Sequence, residues 1–375
     1  MKRNKVLFAL VLLTGVLVSC NGSNNPVAPI TWNDSLWTIA QGLQGSNVKC
    51  GFAESGGNLV TSTYCKLCEQ AYIVISKNDG ATWELDTTFH VYNHHDTGQI
   101  TDPLWLPAPM VFINDGTYLL AGEGDVYHGD IYRSTDNGVT WSDRNISWPA
   151  GDSDQEDVYS FCVLHGKIFA GTDDGVFVST DHGTTWSSVN TGIPKISFHH
   201  PPVSALVVLG NSLFASTWGF GIYRPDNDGA SWVTVNTDNY SFGGLATIGP
   251  NIFAAAFNDF GKPWTGGVFL SKDDGETWQH VDADLPDHGV NSICSSGSFL
   301  FAATDTAIFA SSDKGSTWTD VSSGVSLGGA ITVLWSSASY LFASGWGKIW
   351  RYPLNLSTGF GSNDKIKDSP KLKGG

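Results

Sequence analysis

Ser271-Lys-Asp-Asp-Gly-Glu-Thr-Trp278 decides the fold because it does not stand alone. The same Ser-x-Asp-x-Gly-x-Thr-Trp octapeptide occurs at Ser134 to Trp141, Ser179 to Trp186 and Ser311 to Trp318. Looser copies run from Ser76 to Trp83, with Asn78 for the aspartate, and from Pro225 to Trp232. Their tryptophans (Trp83, Trp141, Trp186, Trp232, Trp278 and Trp318) follow one another at 58, 45, 46, 46 and 40 residues, the length of one four-stranded propeller blade. Ahead of the box, each unit carries an apolar strand, a short turn and a second signature, as in Ile168-Phe169-Ala170, Leu213-Phe214-Ala215, Ile252-Phe253-Ala254 and Leu300-Phe301-Ala302. A Gly-[Ile/Val]-[Phe/Tyr] strand follows, as at Gly175-Val176-Phe177 and Gly221-Ile222-Tyr223. Short β-branched and aromatic runs separated by Gly, Asn and Asp read as strands joined by tight turns.

The last unit, Ala330 to Trp350, has three strands and no box after them. The missing piece stands at the other end of the chain. Trp37-Thr-Ile-Ala-Gln-Gly-Leu43 parallels the segments that follow the box elsewhere, Trp186 to Ile193 and Trp318 to Val325, and Trp37 precedes Trp83 by 46 residues. The expected fold is therefore all-β, a seven-bladed β-propeller closed by an N-terminal strand that joins the last blade. Closure of this kind leaves only short strand edges open.

The box has a physical rationale without a ligand. Its aspartate can accept backbone N–H groups across the turn, its glycine can take a positive φ, its hydroxyls can satisfy neighbouring backbone, and its tryptophan can wedge beside the next sheet. It resembles the Asp-box, or BNR, repeat of the sialidase-like propellers. That resemblance places the box between the third and fourth strands, away from the ligand-binding face. A calcium reading of Asp273-Asp274-Gly275 lacks the following glutamate of an EF-hand loop.

At the N-terminus, Lys2, Arg3 and Lys5 precede an apolar stretch from Val6 to Val18 and then Leu17-Val18-Ser19-Cys20. This reads as an export signal, too short for a comfortable membrane span. It resembles a bacterial lipoprotein signal, which implies a lipid on Cys20 and, with Asn21 after it, the outer membrane, facing the periplasm or the cell surface. The expected organisation is a signal peptide at 1–19, a lipid anchor and linker at 20–35, the propeller at 36–357 and a disordered tail at 358–375. Cys162 and Cys294 share one repeat position, seven residues before Phe-Ala, and read as buried small hydrophobes. Cys50 and the Cys65/Cys68 pair leave open a structural disulfide, free thiols, a redox pair or half a metal site. Between Cys20 and the lysine-bearing tail, 13 Lys and Arg face 34 Asp and Glu. That balance argues against a nucleic-acid groove or a polyanionic ligand.

The turns between second and third strands and the connections between blades would share the face opposite the boxes. They collect seven of the ten histidines and many aromatics, the mixture that stacks on sugar rings or anchors a protein partner. The candidate ligand-binding residues are Trp218, Phe220, Trp264, Trp346, Tyr127, His128, His199 and His200. If the chain is an enzyme, the candidate catalytic carboxylates are Glu123, Asp125, Asp130, Asp96 and Asp157. His94, His95, Asp96 and His128 could hold a metal, although a hydrated loop is the simpler reading, and no cofactor is implied.

Three readings compete. Sialidases resemble one another in an arginine triad and an Arg-Ile-Pro segment. Here only Arg133, Arg144, Arg224 and Arg351 follow the signal, no Arg-Ile-Pro occurs, and three of the four share one repeat position that looks architectural. Sialidase activity is not expected. A hydrolase of a neutral polysaccharide needs two carboxyl groups across the scissile bond. The seven-bladed xyloglucan hydrolases, which this chain resembles in its boxes, place them in a cleft between two propellers, whereas one propeller is present here. The third reading is a noncatalytic platform for a glycan or envelope protein, held at the membrane through its N-terminal lipid alone. It resembles the photosystem II assembly factors in blade count, without their arginine-rich patch. The binding platform is the preferred expectation and the hydrolase the alternative; the residues leave catalysis open.

Overall fold

The computed structural model describes residues 37–41, 46–47, 51–65, 70–85, 108–124, 131–143, 157–196, 199–225, 231–236, 240–257, 266–285, 289–323, 325, 331–345 and 348–354. They form seven antiparallel sheets. β1 (Thr38–Ile39) opens the chain. Blade 1 has β2 (Ser46–Asn47) and β3 (Ala53–Ser55) along one edge of β4 (Asn58–Cys65), then β5 (Gln70–Ser76) and β6 (Glu84–Leu85). Blade 2 runs through β7 (Ala108–Asn114), β8 (Leu119–Gly124), β9 (Ile131–Ser134) and β10 (Ser142–Asp143). Blade 3 holds β11 (Val158–Leu164), β12 (Lys167–Thr172), β13 (Gly175–Ser179) and β14 (Ser187–Ser188). Blade 4 holds β15 (Val203–Leu209), β16 (Ser212–Thr217), β17 (Ile222–Pro225) and β18 (Trp232–Asn236). In blade 5 follow β19 (Phe242–Ile248), β20 (Asn251–Ala256), β21 (Gly267–Ser271) and β22 (Gln279–His280). Blade 6 comprises β23 (Ser292–Ser296), β24 (Phe299–Ala303), β25 (Ile308–Ser311) and β26 (Thr319–Asp320). Blade 7 has β27 (Val333–Ser336), β28 (Tyr340–Gly345) and β29 (Lys348–Pro353), with β1 as its outer strand.

The expected closure is present. Thr38 pairs with Arg351 and Ile39 with Trp350. Two residues on, Gln41 bridges in parallel to Thr82 of blade 1, so a single short segment stitches the last blade to the first. The Trp37 ring packs on Tyr352 at 5.3 Å. Because β1 is antiparallel to β29, Trp37 and Leu354 stand on the same face of the ring, the one that carries the boxes.

The boxes hold as the side-chain chemistry requires. In the blade 2 copy, Ser134 Oγ donates to Asp136 Oδ1 at 2.8 Å and accepts the Gly138 amide at 2.9 Å. Asp136 also accepts the Thr140 amide and hydroxyl at 2.8 and 2.6 Å. Asn78 reproduces this in blade 1, its Oδ1 accepting the Thr82 amide and its Nδ2 donating to Thr82 Oγ1 at 2.8 Å. The tryptophan leans on the preceding blade, not the following one. Trp318 Nε1 donates to Val281 O at 2.7 Å and Trp278 Nε1 to Val235 O at 3.1 Å, while Trp232 and Trp37 do the same to Val189 O and Val321 O. The box glycine makes that approach possible. A Cβ on Gly183 (φ +78°) would sit 2.4 Å from Leu120 of blade 2, and one on Gly80 (φ +74°) 2.4 Å from Phe342 of blade 7.

Arginines tie the same seams from the other side. Arg224 Nη1 donates to Asp274 O at 2.7 Å and Arg351 Nη1 to Asp79 O at 2.8 Å, each in the box of the following blade. Arg133 reaches His182 O and Thr184 Oγ1 at 3.3 and 3.2 Å. The apolar core accordingly lies between sheets: Val203, Leu206 and Trp232 of blade 4 pack with Phe169 and Val176 of blade 3. Cys162 and Cys294 are buried free thiols, and burial pushes the Cys162 thiol far above its usual range. Cys20, Cys50, Cys68 and the segments expected as signal, anchor, linker and tail lie outside the described residues.

Two measurements check this account. Trp37→Ala removes a buried ring and the closing hydrogen bond, and is expected to lower unfolding free energy by about 3–5 kcal/mol in urea titration. Burial opposes ionisation of Asp136, Asp181 and Asp313, but hydrogen bonds from Thr140, Thr185 and Thr317 outweigh it and hold those carboxyls below 3.8; at Asp273 the Thr277 hydroxyl and amide lead the same lowering. A depressed folded-state pKa contributes stability above the unfolded value, and that contribution is lost as pH falls through the folded value. Replacing all four aspartates by asparagine is expected to lower the urea midpoint near neutral pH, where the contribution of the ionised carboxylates is lost. The decline in midpoint below about pH 4 should become shallower.

Candidate functional site

Within each blade the chain enters the inner strand on one face, turns between first and second strands on the other, and makes its box turn there as well. The second-to-third-strand turns and the interblade connections therefore share the face opposite the boxes. The best-described part of that face lies along blades 2 to 5.

Glu123, near the end of β8, is buried at 3% exposure, and Tyr132 Oη donates to its Oε2 at 2.8 Å. Beside it the bare backbone of Gly122 lies against blade 3: a Cβ there would be 2.9 Å from both Val158 and Phe161. Asp157 immediately precedes that facing strand, and its carbonyl accepts the Asp173 amide at 3.2 Å while Oδ2 accepts the Tyr159 hydroxyl at 3.3 Å. Glu123 and Asp157 thus reach the same end of one interblade seam.

A register shift between Val158 and Ser160 leaves Tyr159 outside the ladder. Such a bulge re-aims a side chain, and here it turns the Tyr159 ring onto Trp218 of blade 4, centroids 4.9 Å apart. The same shift recurs between Pro109 and Val111, Val203 and Ala205, and Phe242 and Gly244. In blade 5 the bulged residue is Gly243, and a Cβ there would meet the Phe257 ring at 2.2 Å. Trp218 is half-buried, its amide donates to Pro202 O at 3.2 Å, and its indole Nε1 is covered by protein with no hydrogen-bond acceptor. Phe220, two residues on, is 38% exposed.

Asp174, in the second-to-third-strand turn of blade 3, is 6% exposed and accepts the His200 amide. His199 Nδ1 stands 3.9 Å from its other oxygen, with the imidazole 53% exposed. His200 Nδ1 lies 3.1 Å from Ile193 O. Asn190 Oδ1 accepts the Val176 amide and its Nδ2 donates to Asp174 O, so the turn and the outgoing connection are fixed to each other.

The structure thus places Glu123, Asp157, Trp218, Phe220, His199 and His200 on the expected face. Asp96, Asp125, Tyr127, His128, Asp130, Trp264 and Trp346 lie outside the described residues, as do His94 and His95. Sequence reasoning missed Tyr159 and Asp174. Tyr159 reads as an ordinary inner-strand residue until the bulge is known, whereas an aspartate before Gly175 in a short turn could have been singled out. Among the described residues no group of three or more His, Cys, Asp or Glu is arranged to hold a metal ion, and no helix is long and apolar enough to cross a membrane.

No protein-family model and no curated protein matches the chain. Solved structures share its fold at low identity. YCF48 bound to a D1 peptide is 14% identical with a TM-score of 0.61, the match covering 89% of this chain and 100% of that one. The extracellular domain of a hybrid two-component system from B. thetaiotaomicron is 12% identical with a TM-score of 0.58, over 84% of this chain and 39% of that one. The GH74 xyloglucanase of Xanthomonas campestris is 14% identical with a TM-score of 0.55, over 88% of this chain and 54% of that one. The chain therefore spans about half of the xyloglucanase and all of the YCF48 chain. The likeness to binding, sensing and hydrolytic propellers alike is a likeness of fold.

Trp218→Ala removes a ring that packs on Tyr159 and is expected to cost about 2 kcal/mol, below the range for a fully buried tryptophan. Phe220→Ser is expected to stay within about 0.5 kcal/mol of the parent. Paired urea titrations check both.

Proposed function

We propose that this chain is an exported propeller, anchored by lipid on Cys20, that binds a glycan or a protein of the cell envelope without transforming it. The binding face is the one built from second-to-third-strand turns and interblade connections. The observation that carries the reading is the state of two carboxylates among the described residues of that face: Glu123 is buried under the Tyr132 hydroxyl and Asp174 is fixed by the His200 amide. A general acid or nucleophile must present its oxygen to substrate, and these two are committed to the scaffold. The exposed groups there, Ile196, Phe220 and His199, suit adhesion better than proton transfer.

Other observations agree. Arg133, Arg224 and Arg351 spend their guanidinium groups on the boxes, which leaves none of the three for a sialidase-like carboxylate clamp. A single ring spans the whole YCF48 chain but about half of the xyloglucanase. Trp37 stands on the box face, so a tether at Cys20 would join the ring from the side opposite the binding face. Hydrolysis of a neutral polysaccharide stays as a second reading on one observation, the placement of Glu123 and Asp157 at the same end of one seam.

Cell fractionation separates the parts of this proposal. The parent chain is expected with the outer membrane and Cys20→Ala in the soluble exported fraction; equal partition of the two would remove the lipid anchor. Incubation with xyloglucan and other neutral polysaccharides is expected to release no reducing ends. Release that disappears in Glu123→Gln would replace the binding reading by the hydrolytic one.

A further inference from the structure

One seam of the ring is joined differently from the rest. Trp232, Trp278, Trp318 and Trp37 give the indole N–H to a carbonyl of the preceding blade, and Trp141 and Trp186 give it to their own boxes. Trp83, at the seam between blades 7 and 1, is 4% exposed, and its Nε1 is covered by protein with no hydrogen-bond acceptor. The chain takes another path there. After the outer strands of blades 3, 5 and 6, the carbonyls of Asn190, Asp282 and Ser322 turn back onto the Ile193, Leu285 and Val325 amides at 3.0, 2.9 and 2.9 Å. Gln41 holds the corresponding place after Trp37, but its carbonyl accepts the Trp83 amide at 3.0 Å and its amide donates to Ala81 O at 3.1 Å. Ala40, one residue earlier, stands where Val189, Val235, Val281 and Val321 take the indole N–H at other seams. An aromatic contact and an arginine also cross this seam. Phe52 of blade 1 stacks on Trp335 and Phe342 of blade 7 at 5.8 and 5.6 Å, and Arg351 reaches both Asp79 O of the blade 1 box and Thr38 Oγ1 of β1.

We infer that the ring opens at this seam: blades 7 and 1 part there before any other pair, and β1 stays on blade 7. A buried donor without an acceptor has given up its hydrogen bond to water for nothing, so parting the blades restores one to Trp83 Nε1. At the seams of Trp232, Trp278, Trp318 and Trp37 the same motion breaks an indole hydrogen bond instead. β1 follows blade 7 because it is held there by its pairing with Arg351 and Trp350, by the Ala40 amide on Ile349 O at 2.9 Å and by the Arg351 bond to Thr38. Blade 1 grips the same segment through the two Gln41 backbone bonds. Regions that open below the global unfolding free energy are those with the fewest satisfied contacts to lose. Parting uncovers Phe52, Trp335 and Phe342, three rings that the closed ring buries. Opening of this kind is independent of what the face opposite the boxes recognises.

Native-state hydrogen exchange of the full chain in detergent, read at single amides by mass spectrometry, tests this. Trp83 and Trp232 make a matched pair, because each amide donates to a carbonyl of the preceding blade, Gln41 O at 3.0 Å and Thr191 O at 2.7 Å. The protection factors of Trp83 and Gln41 are expected to be about tenfold lower than that of Trp232, and that of Ala40 to match Trp232. Arg351→Gln removes a fastener from this seam and Arg224→Gln the equivalent one between blades 4 and 5. The first is expected to lower protection of Trp83 and Gly80 about a further tenfold, and the second to leave Gly275 within about threefold of the parent. Equal protection of Trp83 and Trp232 in the parent chain overturns the proposal, whether or not the variants fold. Loss of protection at Ala40 equal to that at Trp83 overturns it as well, since β1 would then be leaving blade 7. An equal response of the two seams to their arginine variants does the same.

Discussion

The ring depends on one repeated contact, a tryptophan that closes each box and packs into the blade before it. At Trp232, Trp278, Trp318 and Trp37 the indole N–H meets a carbonyl three residues past the preceding blade's own tryptophan. The bond from Trp37 to Val321 crosses 284 residues of chain. At these four seams the bond fixes how deeply neighbouring sheets interlock, whereas Trp141 and Trp186 donate to Gly138 O and Gly183 O of their own boxes. The box glycines leave the space for it, and Arg133, Arg224 and Arg351 fasten the same seams from the preceding blade. Since the apolar core lies between sheets, stability is a property of seams, and each seam carries a locally encoded version of one joint.

That arrangement separates the two faces by chemistry. On one, hydroxyls, carboxylates and backbone amides satisfy each other within eight residues, and the surface is largely occupied with its own structure. On the other, turns and connections vary from blade to blade because no repeated joint constrains them. The bulges in the inner strands of blades 2 to 5 add to this freedom. In blade 3 the extra residue becomes Tyr159 stacked on Trp218, in blade 4 it is Ser204 bonded to Phe242 O, and in blade 5 it is Gly243 beneath Phe257. One backbone device thus supplies three different local surfaces.

Much of the fold was legible in the sequence. The boxes, the Phe-Ala signature and the likeness of Trp37–Leu43 to Trp186–Ile193 were enough to place every blade and the closing strand. The shared position of Arg133, Arg224 and Arg351 was rightly read as architectural, and so was the burial of Cys162 and Cys294. The direction of the tryptophan wedge was not legible, since a periodic pattern does not say which neighbour a side chain meets. The site was legible only as a face. Which residues on it are committed and which are free depends on pairings such as Tyr132 with Glu123, His200 with Asp174 and Tyr159 with Trp218, and these unite elements from different strands or blades without any repeat to announce them.

The sequence by itself determined the number of blades and the N-terminal strand that closes the last one, because both follow from a short-range motif repeated at blade length. Only the tertiary structure decided that Glu123 is buried under a tyrosine, that Trp218 is packed on Tyr159, and that Ile196, His199 and Phe220 remain open. Those outcomes turn on which side chains from neighbouring blades fill the same volume, and that competition takes place only once the ring has closed.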